Sequence, residues 1–217
     1  MSLDAIQLAC LSVGTFAVLL LVWDKSATGG IWFVAVQALA GGLVSFVHSL
    51  EAHAYLLTAV VIMGMLVKAV AVPILLWLTA RRLSLPSEGG ARLHTPAALL
   101  VSLLLVLGSM LLLSDVLPGG VASGLALGQA LTGVCVVATR RGILAQITGF
   151  IATETGISTV LTLAGGLSWS LEFLLLAEAV AAVLVLVGLA VLVRNIAGTG
   201  DVALLRQLAE YDEEGAA

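Results

Sequence analysis

Charge is what this sequence has least of. Of its 217 residues 10% are charged and 5% aromatic, against roughly 25% charged in an ordinary soluble domain. Too few polar side chains exist to cover a water-exposed globule. With 61% hydrophobic residues and a mean hydropathy of +1.19, the composition excludes a soluble fold. Basic residues are scarcer still, nine against thirteen acidic for a net charge of −4. That leaves no basic face for nucleic acid. The two cysteines, Cys10 and Cys135, lie in separate apolar runs without a second Cys or a His at ligand spacing. Neither a disulfide framework nor a metal site is supported. The start, Met1-Ser2-Leu3-Asp4, lacks the positive charge of a secretory signal, and the run behind it is long enough to span a bilayer. It reads as a retained first helix.

What the chain has in abundance is long apolar runs. Seven candidate spans fall at 4–23, 31–50, 54–80, 96–114, 119–139, 143–164 and 169–193. Each is close to the roughly 20 helical residues that cross a hydrocarbon core of about 30 Å. None has the ten-residue alternation of a membrane barrel, so the expected fold class is an all-α polytopic bundle of about seven transmembrane helices. Basic residues test that count independently, because cytoplasmic loops collect Lys and Arg. Lys25, Arg81, Arg82, Arg92, Arg140, Arg141, Arg194 and Arg206 all fall on one side of the seven-span arrangement. The loops of the other side have none. This places the N-terminus out and the C-terminus in. Gly120, Gly124 and Gly128 at spacing four, and Ala145, Gly149, Ala152 and Gly156, mark ridges of small residues. These let helices approach closely, within the chain or at a subunit interface. Beyond Gly200, Asp201 can cap a short amphipathic helix carrying Val202, Leu205 and Leu208 ahead of an acidic end.

The remaining basic residue, Lys68, lies deep in the third span, roughly 18 Å along the helix from Arg81, too far to snorkel cheaply to the interface. Pro73, five residues on, removes a backbone donor and is expected to break the helix near it. Glu154 lies near the middle of the sixth span and Glu178 about nine residues into the seventh. Ionisable groups are costly at membrane depth. The sharper reading of Lys68, Glu154 and Glu178 is therefore proton transfer, and the blander one a static ion pair or protonated acids that hold the bundle together. Glu172, only three residues past Trp169, is expected at the outer mouth, as an exit group or simply solvated at the interface. His48, Glu51 and His53 cluster at the outer end of spans two and three, but their offsets do not share one helical face and metal binding is weak. No phosphate loop, nucleophile with its base, iron–sulfur cysteine cluster or haem-ligating pair is present.

In combination these residues resemble component E of hydrogenase-4-type complexes, over the whole chain, and over residues 119–209 the small K-type subunit of respiratory complex I. The resemblance is carried by Arg140-Arg141 opening a span with Gly149-Phe-Ile-Ala-Thr-Glu154-Thr-Gly156, by Ala177-Glu178-Ala179 in the next, by the tail Asp201-Val-Ala-Leu-Leu-Arg206-Gln-Leu208, and by Lys68-Ala-Val-Ala-Val-Pro73. It implies a four-helix part over 1–118, a three-helix K-like part over 119–197 and a cytoplasmic tail over 198–217. It also implies that Glu154 and Glu178 match the two intramembrane glutamates of the K-type subunit, Glu154 standing about one turn further from its Arg pair. Glu172 matches an acid of component E. The function implied is that of a non-redox membrane subunit of a complex-I-like energy-converting hydrogenase, of the formate hydrogenlyase kind, in a prokaryotic inner membrane. Such a subunit is not itself a catalyst and carries protons or sodium ions coupled to electron transfer. No cofactor is expected in this chain, iron–sulfur and nickel–iron centres belonging to partner subunits. The implied partners are antiporter-like membrane subunits, a peripheral redox arm and membrane lipid. The alternatives are a component of a cation/proton antiporter or stand-alone transporter, and a structural linker subunit.

Overall fold

The computed structural model describes residues 3–24, 26, 28–53, 55–83, 94–113, 115–165 and 168–197. The expected tail helix and the basic residues Lys25, Arg92 and Arg206 lie outside them. The architecture is all-α, built from α1 (Leu3–Trp23), α2 (Gly29–Glu51), α3 (Tyr55–Leu66), α4 (Val72–Leu83), α5 (Thr95–Leu113), α6 (Gly120–Thr139), α7 (Ile143–Leu163) and α8 (Trp169–Ala197). A π-helical stretch, Val67–Ala71, joins α3 to α4 without interruption. Among the described residues six stretches are long and apolar enough to cross a membrane: Ala5–Trp23, Gly29–Glu51, Tyr55–Arg82, Thr95–Leu112, Gly120–Thr139 and Trp169–Leu192.

The exception is α7, which has the length, 21 residues, but carries five threonines, Ser158, Gln146 and Glu154. Its position explains its composition. The helices form two rows, with α1 packed on α6, α2 on α7, and α3 and α4 on α8, while α5 covers the α1/α6 side. Flanked by α2, α6 and α8, α7 turns little of itself outward and does not need an apolar circumference. The other helices supply that surface, exposing Phe16, Trp32, Leu39, Leu104, Leu111, Phe173 and Val185. An outward band of large apolar side chains on this scale belongs in lipid or under another protein.

Neighbouring helices alternate in direction. At one end the buried Arg140 donates to the carbonyls of Val22 and Asp24, which close α1. This basic end also carries exposed Arg81 and Arg82, with Arg81 stacked 3.8 Å over Trp77. At the far end Gln7 and Leu8 of α1, His48 and Glu51 of α2, Val121 of α6 and Leu163 of α7 surround a cleft of about 470 Å³.

Small residues set the closest contacts, and they are spent inside the chain. A methyl group added at Gly156 would come within 2.6 Å of the Ala130 amide nitrogen, and one at Gly149 within 2.9 Å of the Gly133 carbonyl oxygen. At Gly124 it would meet the Ser109 carbonyl of α5 at 2.9 Å. Backbone cannot yield as a side-chain tip can. Gly156→Val is therefore expected to destabilise the α6/α7 pair by about 1–3 kcal/mol, seen as a lower thermal unfolding midpoint of the purified protein in detergent. Gly188→Val, where nothing lies within 4 Å, is the matched control.

Candidate functional site

Two apolar clusters divide the interior. One, toward the basic end, holds Val18, Leu21, Val22, Ile31, Val34, Leu76, Leu144 and Ile147. The other, toward the far end, holds Leu11, Val44, Val106, Leu125 and Ala126. At mid-depth the polar side chains collect, and there the Lys68 ammonium donates to Glu154 Oε1 at 2.7 Å, with side chains 10% and 13% exposed.

The local chain explains why Lys68 points inward there. Pro73 has no amide hydrogen to offer the preceding turn, and its ring crowds the carbonyl four residues back. Widening that turn to the π form removes the crowding, and the Val72 amide reaches back to the Val67 carbonyl. The expected break thus takes the form of a π bulge with Lys68 inside it. Such bulges rotate side chains out of helical register and recur at functional sites.

Beside the pair lies a narrow cavity lined by Gly41, Gly42, Ser45, Gly64, Lys68, Thr155, Ser158, Thr159 and Glu172. Its volume available to water centres is about 20 Å³, room for one or two waters. The glycines make the room: a methyl group at Gly41 would reach Thr159 Oγ1 at 2.9 Å, and one at Gly64 would come within 3.7 Å of Glu172 Oε1. Among the described residues Glu154 Oε2 and Thr155 Oγ1 are buried without a protein hydrogen-bond partner. Buried polar atoms of this kind are ordinarily satisfied by water.

Glu172 is not solvated at a surface. It is 5% exposed, and its Oε2 accepts a hydrogen bond from the Ser158 hydroxyl at 3.4 Å. The stripe that α8 buries runs Glu172, Leu176, Ala179, Val183 and Ala190, a helical repeat that turns Glu172 toward α3 and α7 despite its nearness to Trp169. The same stripe excludes Glu178, one residue or about 100° from Ala179, which is exposed on the outer surface of α8. The cavity brings Lys68 and Glu172 together, and Glu154 joins them through its bond to Lys68.

A second polar group stands beside the site and had no counterpart in the sequence reasoning. Gln37, fully buried, donates to Gln129 Oε1 at 3.2 Å and to the Ala152 carbonyl at 3.0 Å. Gln129 donates to the Leu11 carbonyl and the Thr15 hydroxyl. These links tie α1, α2, α6 and α7 at the depth of the ion pair. The cost of an amide inside an apolar run is the signal that could have singled out Gln37 and Gln129. Among the described residues no three His, Cys, Asp or Glu side chains converge as metal ligands, and His48 and Glu51 line the far-end cleft.

No family model, curated protein or solved structure matches this chain.

Proposed function

We propose that this chain is a non-redox, ion-translocating membrane subunit of a complex-I-like energy-converting complex of the hydrogenase-4 and formate hydrogenlyase kind, spanning the inner membrane of a prokaryote seven times with its C-terminus inside. The observation that carries the reading is the buried Lys68–Glu154 pair on a π bulge, with Glu172 across a water-sized cavity. A lysine sharing its counter-charge between two carboxylates can shift from one to the other, and each shift changes which carboxylate holds a proton most readily. This couples a charge movement to a proton movement. Sodium ions are the alternative cargo of the same carboxylates. Oxidation, reduction and metal chemistry are assigned to partner subunits.

Glu178 favours a subunit over a self-sufficient transporter. A carboxylate exposed on α8, between the exposed apolar side chains of Leu174 and Val185 along the helix, is expensive to leave in lipid, about 2.5 kcal/mol or more at the bilayer centre. A neighbouring membrane subunit that covers this face removes the cost. Purification of the full-length chain from its own membranes in a mild detergent is expected to bring antiporter-like subunits and an iron–sulfur-containing peripheral arm with it. Recovery of the chain alone, with transport activity when reconstituted by itself, would show the proposal to be wrong.

A further inference from the structure

From the cavity a file of hydroxyl groups continues along the seam between α2 and α7 toward the far end. Thr155 Oγ1 lines the cavity, is buried and lacks a protein partner among the described residues. Ser158, one helical turn on, already bonds Glu172. One turn beyond, Thr162 meets Ser45 across the seam at 3.0 Å, a contact in which either hydroxyl can donate. Thr162 also has the Ser158 carbonyl within reach as an alternative acceptor, at 3.0 Å. Leu163, next in the chain, and His48, one turn past Ser45, line the far-end cleft. All of Ser45, Thr155, Ser158, Thr159 and Thr162 are buried. The opposite half of the seam is largely apolar, with Ile31, Val34, Ile147 and Ile151 buried; there the Thr148 hydroxyl is bonded to the Ala145 carbonyl of its own helix, and the Gln37 amide to Gln129 and the Ala152 carbonyl.

This asymmetry has a chemical consequence. Glu172 stands on the far-end side of the ion pair, because Ser158 is four residues, about 6 Å, past Glu154 along α7. A proton released there meets a file of hydroxyls in one direction and, in the other, mostly hydrocarbon interrupted by Gln37 and Thr148, whose donors are already bonded. We infer that the α2/α7 seam is a one-sided proton path from the Lys68–Glu154–Glu172 cavity to the cleft at His48 and Glu51, with the Ser45–Thr162 pair as its narrowest step. The inference rests on the ion-translocating reading above and deepens it. A proton leaving the Glu172 carboxyl is taken by the cavity water. That water passes a proton to the next hydroxyl, which gives up its own in turn, and the last is released to water in the cleft. No electron moves and no heavy-atom bond breaks. Because the Ser45–Thr162 bond can run in either sense, the pair can reset after each transfer by rotating two hydroxyls.

The test uses the complete complex in membrane vesicles, with ion uptake measured per electron transferred. Removing both hydroxyls with Ser45→Ala and Thr162→Val is expected to slow proton movement roughly tenfold or more. Ser45→Thr with Thr162→Ser, which keeps both hydroxyls, is expected to stay near wild type. Thr132→Val, whose hydroxyl bonds within α6, controls for the loss of a buried hydroxyl as such. Wild-type uptake by the hydroxyl-free pair, alongside an inactive Glu154→Gln, would overturn the path and leave the proposed function standing. Wild-type uptake by both would overturn the function as well. If the paired change prevents accumulation, Thr162→Val alone, close to isosteric, is read by the same two outcomes.

Discussion

Glu154→Gln is expected to lower coupled ion translocation by about 100-fold while the complex still assembles and its redox partners still turn over. The amide has nearly the volume of the acid and retains an oxygen that can accept from Lys68 Nζ, now 2.7 Å from Glu154 Oε1. What it loses is the ability to take up and release a proton. Oε2 is buried without a protein partner among the described residues, and on the proposed function it is the oxygen free to exchange a proton with water. Ion uptake per electron, compared in reconstituted wild-type and variant complexes, isolates the effect, because electron transfer is measured in the same vesicles. An unchanged ratio would leave the ion pair as scaffold only.

Lys68→Met is expected to destabilise the protein by about 3–5 kcal/mol, and to do so more than Lys68→Met and Glu154→Gln together. The reasoning is one of sign. Two opposite charges 87% or more out of solvent, by the 10% and 13% exposure of their side chains, compensate each other's desolvation. Removing only the ammonium leaves Glu154 and, across the cavity, Glu172 as buried acids without their counter-charge. Neutralising Glu154 as well removes part of that cost, so the second change should restore stability instead of adding to the loss. Thermal unfolding of the four species of the double-mutant cycle in one detergent gives the coupling directly. Additive losses would mean that the two side chains, close as they are, do not depend on each other.

How legible was this in the sequence? The apolar runs indicated where the helices fall, since a helix able to span must satisfy its own backbone and must be about 20 residues long. The bounds Gly120–Thr139, Ile143–Leu163 and the start at Trp169 lie within a residue or so of the runs from which they were expected. Lys68 announced itself because a lone cation at mid-span has no inexpensive explanation, and Pro73 foretold a departure from α geometry.

What the sequence could not decide was rotation about each helix axis. Helix α8 is apolar almost all round, so its composition does not say which stripe faces the bundle; the packing against α3 and α7 turns Glu172 inward and Glu178 outward. The partner of Lys68 depended on which of several mid-depth carboxylates lies across from the bulge, a question of neighbours 86 residues apart in the chain. Gln37 and Gln129 do not stand out in the sequence, because a single amide in an apolar run acquires meaning only when another helix brings the second one to it. Even the low apolarity of α7 becomes intelligible only once it is seen between α2, α6 and α8. Length and hydropathy are properties of a segment alone and can be read from it, whereas a buried polar contact is a property of two surfaces and exists only after they have met.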